Sequence, residues 1–368
     1  MSAEAKPSVA TIIFPILGLA FVAVAPSIGF TGARPTSPWS LTLSAAMVVI
    51  MLGAIAAAVR HADVIAHRLG EPFGTLVLTL AVTVIEVALI ESVVLTPTSS
   101  PALARDTVFA VIMIVCNGLV GLCILLGGLR HREQEFQVSG AAVYLNVLGA
   151  LSILTLVLPN YARTVPGPYF SSGQLVFVSI VTVVLYATFL FIQTSRHADY
   201  FRAQDKSESS ARHAYPSNKL VATSVVVLLT ALCAVILLAK KFAVTLEAGL
   251  QRLDAPPAVA GIIIAMVVLA PESISAVRAA LSNMLQKSLN LALGSSLATI
   301  GLTIPAVALT NIAIGRQIEI GISARDTLLL ALTLFLSLLT FGSGRTNILV
   351  GLVHLVVFAT FLFLVFVP

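Results

Sequence analysis

Residues 258–281 read AVAGIIIAMVVLAPESISAVRAAL, an apolar run long enough to cross a bilayer that carries a carboxylate, Glu272, directly after Pro271. A charged side chain at the centre of a membrane helix costs about 2.5–3.5 kcal/mol on insertion scales, so such a residue is a site hypothesis by default. Pro271 cannot donate a backbone hydrogen bond and displaces the one to the Val267 carbonyl. The segment therefore predicts a discontinuous helix, with freed carbonyl oxygens at membrane depth and Pro271 shaping the site. A simple packing kink is the plain alternative. Half a chain earlier, the stretch from Gly74 to Val87 repeats the feature with Glu86. Two intramembrane acids in corresponding places predict a duplicated architecture.

The rest of the chain agrees with a membrane setting. Of 368 residues 58% are hydrophobic and 10% charged, and the mean hydropathy is +1.03, far from soluble composition. The net charge of +5 belongs to topology signals, since no basic and aromatic stripe suited to nucleic acid is present. The three cysteines, Cys116, Cys123 and Cys233, show no metal-ligand spacing and read as small packing residues.

Apolar runs of about 20 residues fall near 11–30, 39–59, 73–95, 107–129, 140–159, 172–193, 219–239, 257–283, 288–314, 325–342 and 346–367. The expected fold is an all-α integral membrane protein with eleven transmembrane helices. With the amino terminus inside, 13 Lys and Arg residues lie on the inner side and 8 on the outer, which favours a cytoplasmic amino terminus. The first run, within 1–30, reads as a retained extra helix rather than a cleaved signal. Residues 194–218, polar and without apolar periodicity, read as a flexible cytoplasmic linker. It separates a five-helix repeat at 39–193 from another at 219–368. Five is odd, so the second set enters the membrane inverted, as in many secondary transporters.

Around the two acids the sequence offers neutral oxygens: Thr83, Asn117, Ser295, Ser296, Thr299 and Thr303. Carboxylates with neutral oxygens suit hard cations such as Na⁺, K⁺ or Ca²⁺, with Glu86 and Glu272 as the metal-binding acids. For each hydroxyl, a bond to its own helix backbone is the plain alternative; for the acids it is permanent protonation or an ion pair. Glu91, five residues beyond Glu86, is rotated by roughly 140° and reads as a vestibule residue or a solvated helix end. His61 and His67 flank Ala62-Asp63-Val64 in what reads as a solvated loop or, less simply, a proton sensor. His354 alone among the histidines falls within a span. Enzyme signatures are absent: there is no HExxH, P-loop, G-x-G-x-x-G or G-x-S-x-G with partners.

Several motifs carry a resemblance: Arg60-His61-Ala62-Asp63-Val64, His67-Arg68-Leu69-Gly70-Glu71-Pro72, Pro271-Glu272, Leu293-Gly294-Ser295-Ser296-Leu297-Ala298-Thr299, and Gly344-Arg345-Thr346-Asn347 with Gly351 and His354. On these the chain resembles the calcium/cation antiporter superfamily, and within its cation/proton exchanger branch the bacterial ChaA type. The resemblance implies inverted five-helix repeats and two glutamates, here Glu86 and Glu272, that bind cation and proton alternately. The wider branch carries Gly-Asn-Ala-x-Glu, whereas this chain has Val82-Thr83-Val84-Ile85-Glu86 and Val268-Leu269-Ala270-Pro271-Glu272. The loss of two amide ligands argues against a dedicated high-affinity Ca²⁺ site, which wants six to eight oxygens.

The expected function is exchange of Na⁺, K⁺ or Ca²⁺ for protons by alternating access, in the bacterial inner membrane. No cofactor beyond the transported ions is expected, and no nucleic-acid partner; the partners are cations, protons and the bilayer, with homo-oligomerisation open. A passive cation channel and an intramembrane carboxylate enzyme are the competing readings.

Overall fold

The computed structural model describes residues 8–30, 32, 38–70, 73–96, 100–201 and 216–367. They form eleven helical segments: α1 (Val9–Val24), α2 (Pro38–Leu69), α3 (Phe73–Val94), α4 (Leu103–His131), α5 (Val138–Tyr161), α6 (Ser172–Arg196), α7 (Asn218–Arg252), α8 (Ala258–Leu281), α9 (Leu285–Ile314), α10 (Ala324–Gly342) and α11 (Ile348–Phe366). Ten are long and apolar enough to cross a membrane, and α1 is a shorter apolar helix. The chain is therefore an all-α, multi-pass membrane protein. Its one piece of sheet among the described residues is a two-residue antiparallel pair, β1 (Gln134–Glu135) with β2 (Arg345–Thr346), joining the ends of α4 and α10.

Four helices contain a turn of π-helix: Ile114–Leu119 in α4, Ile153–Val157 in α5, Ile192–Arg196 in α6 and Thr299–Thr303 in α9. Such turns widen the backbone locally and occur often at functional positions. In contrast, α8 runs without interruption through Pro271. The discontinuity expected at that proline is thus absent, and the hydroxyl of Ser275 donates to the Pro271 carbonyl (3.0 Å). A turn shaped by proline can remain helical when the surrounding helices hold it.

Two boundaries differ from the hydropathy reading. Helix α2 continues for 32 residues through Arg60, His61 and Asp63, so His61 lies inside a helix rather than in a loop. Helix α7 runs for 35 residues through Lys240 and Lys241. At 1.5 Å per residue both helices exceed a hydrocarbon core of about 30 Å, so their charged stretches need no loop. The start of the expected linker is also structured: α6 ends at Arg196 and Ala198–Phe201 forms a 3₁₀ turn. The middle of that linker, 202–215, lies outside the described residues, with Arg202, Lys206, Arg212 and His213.

The helices group into two compact units. The first comprises α1, α2, α3 and α7, with α1 and α3 each packed on both α2 and α7. Gly53 makes the α1 contact possible, because a Cβ there would fall 2.3 Å from the Phe14 ring. The α2–α3 connection leaves through Gly70 at φ +67°, a left-handed conformation that favours glycine. His61 is fully buried here, with Nδ1 3.0 Å from Ser224 Oγ of α7 and Nε2 3.2 Å from Thr11 Oγ1 of α1. Thr11 already donates to the Ser8 carbonyl (2.7 Å), so its oxygen accepts from Nε2–H of the ring.

The second unit contains α4, α5, α6, α8, α9, α10 and α11. Helix α4 is its central element, nearly all buried and packed against α8, α9 and α11. Cys116 and Cys123 are free and buried within it. Close approach to α11 is licensed by two glycines: a Cβ on Gly121 would lie 3.0 Å from the Gly351 carbonyl, and one on Gly351 would lie 2.7 Å from Leu125 N. The end of α8 is fixed by Gln134, whose Nε2 donates to the Ala280 carbonyl (2.9 Å) and to Asn283 Oδ1 (3.1 Å).

Candidate cation site

The acidic residues are held in different units, and each has its own setting. In the first unit, Glu86 stands near the middle of α3 and is 2% exposed. Thr83, one turn earlier on the same face, is also buried. The remaining buried residues of that helix, including Ile85, Leu89 and Ile90, are apolar. Glu91 is half-buried, one and a half turns further on.

In the second unit, Glu272 lies on α8, which packs against α4 and α9. Ser295 of α9 hydrogen-bonds to the Glu272 carboxyl group. The other carboxyl oxygen, Oε2, is enclosed and has no protein hydrogen-bond partner. Among the described residues no Lys, Arg or His forms an ion pair with Glu272. Leaving a buried carboxyl oxygen unsatisfied costs about 1–3 kcal/mol, a cost that a proton or a cation on it would offset.

The neighbouring hydroxyls divide into two classes. Thr299 donates to the Ser295 carbonyl (3.1 Å), as Thr107, Ser152, Thr155 and Ser179 donate to carbonyls four residues back. Ser296 and Thr303, both fully buried, make no such bond and their hydroxyl oxygens have no protein partner. On α9, then, Ser295 is on the acid, Ser296 and Thr303 present oxygens without a protein partner, and Thr299 donates to the backbone while its oxygen keeps its acceptor lone pairs.

Asn117 has partners of its own. It occupies the π turn of α4 and is fully buried, with both ends of its amide in use. Its Nδ2 donates to Thr333 Oγ1 of α10 (2.8 Å), and its Oδ1 lies 3.1 Å from His354 Nδ1 of α11. His354 Nε2 in turn lies 3.0 Å from Thr340 Oγ1. This polar cluster is invisible to a local reading of the sequence; the signal is an Asn and a His, each flanked by apolar residues. Among the described residues no group of three or more His, Cys, Asp and Glu side chains gathers as a metal centre.

Comparison with known proteins agrees with this architecture. The sequence pattern of the sodium/calcium exchanger protein family matches residues 39–195 and 223–367. The putative ionic transporter y4hA of Sinorhizobium fredii is 48% identical over 321 residues, covering 87% of each chain. The sodium-potassium/proton antiporter ChaA of Escherichia coli is 36% identical over 359 residues, covering 97% of this chain and 96% of that one. Among solved structures, native YfkE superposes with a TM-score of 0.71 at 18% identity, covering 97% of this chain and 100% of the other. The H⁺/Ca²⁺ exchanger CAX gives 0.66 at 15% identity, covering 96% and 89%. With a matching pattern across most of its length, a ChaA-type relative over nearly all of it and an all-helical membrane fold shared with these exchangers, the chain belongs to the sodium/calcium exchanger protein family.

Proposed function

We propose that this chain is a secondary active antiporter that exchanges Na⁺, K⁺ or Ca²⁺ for protons by alternating access, and that Glu86 and Glu272 each bind cation and proton in competition. The observation that carries the reading is the Glu272 carboxyl group, held by Ser295 with Oε2 enclosed and unsatisfied. Desolvation favours the neutral form of a carboxyl group, and a bound cation favours the charged form. The same oxygens therefore hold a proton or a cation, and loading one releases the other. Ser296, Thr303 and, beside Glu86, Thr83 are the neutral oxygens assigned to the cation; Pro271 sets the turn that carries Glu272, and Glu91 lines an approach.

The family and the named activities of the relatives support this reading. The Escherichia coli relative is a sodium-potassium/proton antiporter by name, and two more distant relatives are named Ca²⁺/H⁺ antiporters. Absence of the two branch asparagines favours monovalent ions. An inverted repeat is supported by the matching order of the helices: the first of each set is the longest, α2 with 32 residues and α7 with 35. The second of each set carries the acid, Glu86 on α3 and Glu272 on α8. We place the protein in the bacterial inner membrane with its amino terminus in the cytoplasm, from the distribution of Lys and Arg.

The test uses inside-out vesicles and a pH-sensitive dye. Wild type dissipates ΔpH on addition of Na⁺, K⁺ or Ca²⁺, whereas inserted Glu272→Gln and Glu86→Gln proteins do not. Dissipation at the wild-type rate by either variant removes that acid from the mechanism.

A further inference from the structure

One buried polar cluster has no part in the mechanism above. Four side chains on three helices of the second unit form a single directed chain: Thr340 and Thr333 from α10, His354 from α11 and Asn117 from the π turn of α4. All four are buried, His354, Asn117 and Thr333 completely. The hydrogen positions follow from the acceptors. Asn117 Oδ1 is a carbonyl oxygen and can only accept, so His354 Nδ1 carries its proton. In the neutral ring His354 Nε2 then accepts from the Thr340 hydroxyl (3.0 Å). At the other end Asn117 Nδ2 donates to Thr333, whose hydroxyl donates to Met113 Sδ (3.5 Å). Each ring nitrogen and both ends of the amide are thus satisfied by a neutral histidine of one tautomer.

The backbone is arranged to make this chain possible. At the crossing of α4 and α11, a Cβ on Gly121 would stand 3.0 Å from His354 Cβ, so only glycine lets the imidazole lie against α4. The π turn Ile114–Leu119 that carries Asn117 packs directly on α8, the helix of Glu272, and on the first part of α9, the helix of Ser295. A chain of contacts therefore runs from His354 to Asn117, to the π turn, and to the helices that bear the candidate cation ligands.

We infer that His354 is a positioning residue: through Asn117 it fixes the π turn of α4 and with it the seating of α8 and α9, and Asn117 serves as a strut rather than as a cation ligand. This rests on the assignment of Glu272 to the cation site. The neutral tautomer makes the role one of hydrogen-bond donation, not of proton uptake. The charged and titratable side chains nearby agree: α4 presents Cys116 and Cys123, and α10 and α11 present no acid or base beside the ring.

The test is a double-mutant cycle in purified, reconstituted protein, reading half-saturating cation concentration and its pH dependence. His354→Leu and Asn117→Leu are each expected to raise the half-saturating concentration by about fivefold, and together by no more than either alone, because they break one chain. His354→Gln, which keeps a donor, restores it to within about twofold, and the pH profile keeps its midpoint in all variants. Additive single effects, no change in His354→Leu, or failure of Gln to rescue overturns the proposal. A shifted pH midpoint in the Gln variant overturns it in favour of a titrating histidine. Should a Leu variant fail to fold, Thr340→Val, which removes only the donor to Nε2, supplies the same comparison against His354→Gln. Loss of transport in Glu272→Gln is the separate control: if that variant still transports, the assignment of the site fails whatever His354 does.

Discussion

Ser295 on α9 places its hydroxyl on the Glu272 carboxyl group of α8, while the second oxygen of that carboxyl stays enclosed and unpartnered. One oxygen is thereby oriented and the other remains available. Ser295→Ala removes the orienting bond without adding bulk. It is expected to raise the half-saturating cation concentration by about tenfold to a hundredfold, the effect of losing one hydrogen bond to a charged group of about 1.5–3 kcal/mol, with the maximal rate less affected. Flux titrations in proteoliposomes check this.

The proposed competition between proton and cation at one carboxyl group sets the sign of the expected pH dependence. Lowering the pH on the cation-loading side fills the group with protons, so the half-saturating cation concentration rises. For one competing proton the rise approaches about tenfold per pH unit in the acid range and levels off at alkaline pH. Initial-rate measurements at fixed opposite-side pH read it directly. A half-saturating concentration independent of pH speaks against a shared group.

Much of this was legible in the sequence, and the reason is energetic. Glu272 stands out because a carboxylate in an apolar span is expensive, and the spans stand out because hydrocarbon thickness sets their length. The π turns and the Asn117–His354 bond were not legible, since 237 residues separate the partners and neither forms a local motif. The opposite error affected His61. Neighbouring Arg60 and Asp63 make its surroundings look like a loop, yet a 32-residue helix accommodates them near one end while the imidazole faces inward between α1 and α7. Pro271 illustrates a third case, where the expected break is absorbed and the irregular backbone appears instead at Ile114–Leu119 and Thr299–Thr303.

The role of His61 in packing is testable by stability. His61→Leu leaves the Ser224 hydroxyl of α7 without its imidazole partner and removes a tie to Thr11. A loss of about 1–3 kcal/mol is expected, seen as a lower melting temperature of the detergent-solubilised protein. Its pH–activity midpoint should not move, because the ring is used as a neutral donor and acceptor.

The α1–α2 contact gives a reciprocal pair. Gly53→Ala drives a methyl group to 2.3 Å from the Phe14 ring, and overpacking of this kind costs about 1–3 kcal/mol. Phe14→Ala removes the ring, so Gly53→Ala should cost less in the Phe14→Ala background than in the wild type. Thermal unfolding monitored by size-exclusion chromatography distinguishes the two.

The most direct measurement of the central claim follows both ions at once in liposomes containing the purified protein. An outward gradient of isotopic Na⁺ or K⁺ is imposed at zero membrane potential while internal pH is recorded. The account predicts internal acidification that tracks cation efflux in a fixed ratio, and predicts that Glu272→Gln abolishes both fluxes together. Cation efflux with no pH change, as through a channel, or coupled flux of both ions in Glu272→Gln at the wild-type rate, would contradict it.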